Sequence, residues 1–79
     1  MKKASVVGYT VVLHEAEEGG FWAEVPVLGS CFTQGETLDE ALENAKEAIE
    51  CHLAGLKSAN QPIPLESGIV ISRVEVALR

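Results

Sequence analysis

The stretch Thr33-Gln34-Gly35-Glu36-Thr37-Leu38-Asp39-Glu40-Ala41 packs a strand end, a glycine turn and a capped helix start into adjacent positions. Glycine takes positive φ without a Cβ clash, so the reading predicts a sharp reversal at Gly35. Thr37 and Glu40 have capping-box spacing. The threonine hydroxyl accepts from the backbone N–H three residues on, and the glutamate reaches back to the N–H of Thr37. Asp39 and Glu40 put negative charge at the positive end of the helix dipole. This corner joins a strand to a helix and decides the fold.

Downstream, the spacing predicts a helix from Leu38 to Lys57. Leu38, Ala41, Leu42, Ala45, Ala48, Ile49, His52, Leu53 and Leu56 recur at three- and four-residue steps and form one apolar stripe. Asp39, Glu43, Asn44, Lys46, Glu47 and Glu50 lie off it. Upstream, Cys31 to Gln34 reads as a strand. Phe21 to Val27 alternates, with Phe21, Ala23 and Val25 on one face and Trp22 and Glu24 on the other. Pro26 has no N–H for a ladder and should end that strand or lie on its open edge. Ser5 to His14 also alternates, with Val7, Tyr9, Val11 and Leu13 opposite Val6, Thr10, Val12 and His14. Glu15 to Gly20 is a polar turn, so these two runs form a hairpin.

After the helix, Pro62 and Pro64 prevent further helix and favour an extended linker. Ile69 to Leu78 reads as a last strand, with Val70, Val74, Val76 and Leu78 on one face and Ile69 and Ile71 on the other. The expected fold is α+β, in the order β-β-β-α-β: a small antiparallel sheet with one helix packed on one face and a last strand after a proline linker. One helix covers one sheet face. The other face is expected to present Val6, Val12 and Trp22, joined by Ile69 and Ile71, as an apolar interface patch.

A chain of 79 residues buries only about 60% of its unfolded surface, so a small domain of this kind needs reinforcement. Cys31 and Cys51 are too few for a disulfide framework, and neither they nor His14 and His52 have zinc-site spacing. Oligomerisation, as a dimer or tetramer, is the expected reinforcement. The net charge of −6 argues against direct nucleic-acid binding and favours a basic protein partner. The apolar run after Met1 is broken by Ser5, Gly8 and Thr10, and no segment is long enough to span a bilayer, so a soluble, cytoplasmic protein is expected.

No catalytic constellation emerges. His52 follows Cys51, but adjacent helical residues point about 100° apart. The acidic residues lie in a turn, on the helix face or singly on strands, and the glycines lack a phosphate-loop pattern. The sequence calls for no metal and no cofactor, and a binding module is expected rather than an enzyme. Trp22 and Glu24 are the first candidates for partner contact, because aromatic anchors dominate such surfaces. A remote alternative, a small metal-dependent nuclease, would require Glu15 and Glu24 to meet near a metal.

Three groups of residues together resemble the HicB antitoxin domain. They are Tyr9 to Leu13; Glu18-Gly19-Gly20-Phe21-Trp22-Ala23-Glu24-Val25-Pro26; and Gly29 to Ala41. Asn44 to Ile49 and Ile63-Pro64 fit as well. The resemblance implies a partial ribonuclease-H-like fold and a partner, HicA, which is a small basic toxin that cleaves RNA. It does not imply ribonuclease H chemistry, since Val7, Tyr9, Val11 and Leu13 offer no carboxylate for Mg²⁺. Many HicB proteins add a C-terminal DNA-binding segment. This sequence reads as a single domain over residues 1–79, without one. A stand-alone oligomer of the same fold, with no toxin partner, is the second reading.

Overall fold

The computed structural model describes residues 7–29 and 31–78. Three strands, β1 (Val12–Glu15), β2 (Phe21–Val25) and β3 (Cys31–Gly35), form one antiparallel sheet in the order β1-β2-β3. One helix, α1 (Leu38–Ser58), packs across β3 and β2. The fold is α+β. The expected strand start at Ser5 and Val6 lies outside the described residues.

The hairpin between β1 and β2 closes through Ala16 N–H donating to the Gly20 carbonyl at 3.0 Å and Gly19 N–H donating to the Ala16 carbonyl at 3.1 Å. Gly19 and Gly20 both take positive φ, which that turn requires. Strand β1 is shorter than its alternation suggested. Val12 pairs with Glu24, and β2 stops at Val25 because Pro26 opens a 3-10 turn, Pro26–Leu28, that fixes φ and supplies no N–H. Residues 7–11 therefore have no ladder partner among the described residues.

The corner at Gly35 forms, but for a different reason from the one the turn chemistry suggested. Gly35 is not among the positive-φ residues; it is the last residue of β3 and pairs with Phe21. What it supplies is space. A Cβ there would lie 2.4 Å from the Ala41 backbone N and 2.8 Å from the Ala41 Cα. The helix thus starts in contact with the strand that precedes it, and only glycine fits.

The cap is also adjusted. The Thr37 hydroxyl accepts from Glu40 N–H at 3.1 Å, as the spacing predicts. The Glu40 carboxylate accepts from the Glu36 amide at 3.3 Å, one residue earlier than expected. Asn44 donates to the Gln34 carbonyl at 2.7 Å, tying the second helical turn to the end of β3. At the other end, Asn60 N–H donates to Lys57 O and Gln61 N–H to Leu56 O. Asn60 sits in the left-handed region at φ 59°, which is a Schellman stop.

The core is thin. Ala23, Val25, Leu28, Cys31, Ala41 and Ala45 are the buried apolar residues, and Val25 is the one large side chain fully buried among the described residues. Two alanines at the helix contact let α1 approach the sheet closely. Leu38 and Leu42, expected in the buried stripe, are 48% and 43% exposed. They fall at the rim, where a three-stranded sheet is too narrow to cover them.

The linker after α1 is held against the segment before β1. Tyr9 OH donates to the Pro64 carbonyl at 2.5 Å. The Thr10 amide donates to Glu66 Oε2 at 2.7 Å, and the Thr10 hydroxyl donates to Glu66 Oε1. Beyond it, Ile69 to Leu78 forms no strand and is exposed throughout. The fourth strand expected there has no ladder partner among the described residues. The radius of gyration, 15.4 Å, exceeds the roughly 11.6 Å expected of a compact chain of this length.

Two outcomes follow. Gly35→Ala should destabilise by about 1–3 kcal/mol or more, since helix and strand must part to admit the methyl group. Gly8→Ala, with nothing within 4 Å of the added Cβ, should change stability by less than ~0.5 kcal/mol. Denaturant midpoints of the two variants test the contrast. Secondly, hydrogen bonds from the Thr10 hydroxyl and then its amide hold the Glu66 carboxyl below its ordinary value of 4.5. A depressed carboxyl contributes stability above the unfolded value and loses it as pH falls through the folded one. The Thr10 amide should therefore lose exchange protection as pH drops below that range. Glu66→Ala should remove the protection at every pH.

Candidate partner-binding face

The register places side chains on two faces. Leu13 opposes Ala23 and Ala23 opposes Thr33, so these point toward the helix. Val12 opposes Glu24, His14 opposes Trp22, and Glu24 opposes Phe32, so these share the face that α1 leaves bare. This period-two separation brings Val12, His14, Trp22, Glu24 and Phe32 into one patch.

The patch is an aromatic surface with one polar pair. The His14 and Trp22 rings stack with centroids 4.0 Å apart and planes 14° from parallel. Trp22 tilts against Phe32 at 6.4 Å. His14 Nε2–H donates to Glu24 Oε1 at 3.1 Å, which fixes the imidazole on the indole from the other side. Trp22 and Phe32 remain 37% and 58% exposed. A rigid aromatic ridge with a carboxylate beside it suits contact with a protein surface carrying positive charge.

Of the residues expected at an interface, Val12, Trp22 and Glu24 are therefore neighbours on the bare face. Ile69 and Ile71 are not; they lie 50% and 68% exposed in the unpaired segment after the linker. Gly35, Thr37 and Glu40 occupy the structural corner. The residues missed from sequence are Phe32 and His14. Phe32 was legible in principle, since Cys31 being buried puts its neighbour on the opposite face. Alternation alone puts His14 on this face, and only the cross-strand register shows it stacked on Trp22.

The patch has little capacity for acid–base or metal chemistry. Glu15 and Glu24 are adjacent to different partners, Phe21 and Phe32 respectively. Among the described residues no three His, Cys, Asp or Glu side chains converge as a metal site would require. Cys31 is buried on the helix side, and burial raises its thiol pKa, which disfavours the thiolate. Cys51 is exposed on α1.

The model of the HicB-like antitoxins of bacterial toxin–antitoxin systems matches residues 9–75. This chain belongs to that family. It is 42% identical to a UPF0150 protein of Synechocystis over 65 residues, covering 82% of each chain. A UPF0150 protein of Thermoplasma acidophilum is 46% identical over 59 residues, which is 75% of this chain and 86% of the relative. Antitoxin HicB 1 of Photorhabdus laumondii is 36% identical over 70 residues, spanning 89% of this chain and 45% of that protein. No described helix of this HicB-like chain is long and apolar enough to cross a membrane.

The bare face should be dispensable for folding. Phe32→Thr keeps a good strand former at an exposed position and should shift stability by less than about 1 kcal/mol. Val25→Ala, in the core, should cost about 1–3 kcal/mol. Equilibrium unfolding of the two variants measures the difference.

Proposed function

We propose that this chain is an antitoxin-type binding module that neutralises a basic, RNA-cleaving HicA-like toxin by covering it. The carrying observation is the bare sheet face, where Trp22, Phe32 and Glu24 present an aromatic and acidic surface on a member of an antitoxin family. The net charge of −6 speeds encounter with a basic partner and sets its orientation. Neutralisation would act by occlusion. Trp22 packs into the toxin surface, Val12 and Phe32 exclude water around it, and Glu24 meets a toxin cation. The module works as a homo-oligomer in the cytoplasm.

The test is co-expression with a HicA-like toxin and assay of RNA cleavage. A stable complex and protected RNA are expected, with Trp22→Ala weakening binding by at least ~30-fold, the scale of an interface hot spot. Intact cleavage in the presence of excess wild-type chain overturns the reading. In that event the second reading, an oligomer of this fold with no toxin, is favoured by the exposed apolar segment Ile69 to Leu78.

A further inference from the structure

We propose that His14 is a proton-operated gate on the bare sheet face: the charged ring holds the Glu24 carboxylate back from a cationic partner, and the neutral ring releases it. Two observations carry this. His14 is pinned from two sides, its ring lying on Trp22 at 4.0 Å and 14° from parallel, and its Nε2 standing 3.1 Å from Glu24 Oε1. The patch also offers no other side chain that ionises. Its remaining members are Val12, Trp22, Phe32 and Gln34, the last placed there by its pairing with Trp22.

The charged neighbours of the ring are few. On β1 itself Glu15 follows on the opposite parity, and Glu17 and Glu18 belong to the turn beyond it. Strand β2 contributes Glu24, β3 contributes no charged residue, and α1 with its carboxylates packs on the sheet's other side. Among the described residues Glu24 is the one group within ion-pair distance of His14. The two side chains are 40% and 33% exposed, so protons and a partner's cation both reach them.

Imidazole is the side chain that changes charge between pH 5 and 8. Nε2–H already points at Glu24, so the second proton goes to Nδ1. The charged ring then faces a carboxylate and lies on an indole face, both of which attract a cation. Glu24 is thereby matched within the subunit, and the patch loses its net negative charge. This gate rests on the proposed role of the face in meeting a basic partner, and it adds a condition to that role. A cation bound at Glu24 lies beside the imidazolium, so charging the ring and binding the partner oppose each other. Linkage makes the opposition reciprocal. Falling pH weakens the complex, and forming the complex expels the proton from His14.

Trp22 is the chain's one tryptophan, and His14 and His52 are its two histidines, so the gate is readable without a partner. Collisional quenching of Trp22 emission by caesium ion, with neutral acrylamide as reference, reports how strongly the patch attracts a cation. Between about pH 8 and about pH 5.5, relative caesium quenching should fall in the wild-type chain. It should stay level in His14→Gln, which keeps an amide donor for Glu24 and takes up no proton. His52→Gln, on α1, should behave as wild type. Circular dichroism should hold constant over the range, and loss of helix signal in step with the quenching would overturn the gate. With a purified HicA-like toxin as probe, affinity should fall at least ~5-fold over the same interval for wild type and stay flat for His14→Gln. Equal pH profiles for the two chains, in quenching or in binding, overturn the gate and leave the antitoxin reading standing. Absence of toxin binding at every pH overturns the antitoxin reading instead, and the quenching comparison still decides the gate.

Discussion

Everything in this subunit depends on how closely the helix start approaches the end of β3. With no Cβ at Gly35 and a single methyl at Ala41, backbone meets backbone, and the first turn of α1 is set on the sheet rather than beside it. The Thr37 hydroxyl and the Asn44 amide then hold that position with bonds to Glu40 N–H and the Gln34 carbonyl. Close approach fixes which sheet face is covered. By alternation it also fixes which side chains are left in water on the other.

That economy has a thermodynamic cost. Ala23, Ala41 and Ala45 bring helix and sheet together but bury little area each, and Val25 is the single large side chain fully enclosed among the described residues. Burial at about 25 cal/mol per Å² cannot give such a core much margin over chain entropy. The apolar surface that would normally complete the core lies outside it, on the bare sheet face, along the rim at Leu38 and Leu42, and in the segment after the linker.

The elements were legible in the sequence wherever local chemistry decided them. Period-two alternation placed β2, three- and four-residue spacing placed α1 to within a residue, and Thr37 announced its cap. The assignment of Val12, Trp22 and Glu24 to one face followed from the same alternation. What the sequence could not show depended on neighbours. Gly35 looked like a turn glycine because clearance from Ala41, a through-space distance, has no local signature. β1 was read too long because its length is set by where β2 stops. The segment from Ile69 to Leu78 has strand composition, but composition does not say whose sheet it joins. His14 on Trp22 is a cross-strand fact, and it became visible only with the register.

One small bond bears on how such a subunit avoids uncontrolled aggregation. Asn44 occupies the Gln34 carbonyl, and α1 lies along β3, so that margin of the sheet is guarded by its own helix. Among the described residues, no strand pairs with the β1 margin. A building block with two receptive margins polymerises into ribbons, whereas one with a single receptive margin stops growing once that margin is filled. The amide of Asn44 thereby closes one carbonyl at the end of β3 to any strand that would pair there.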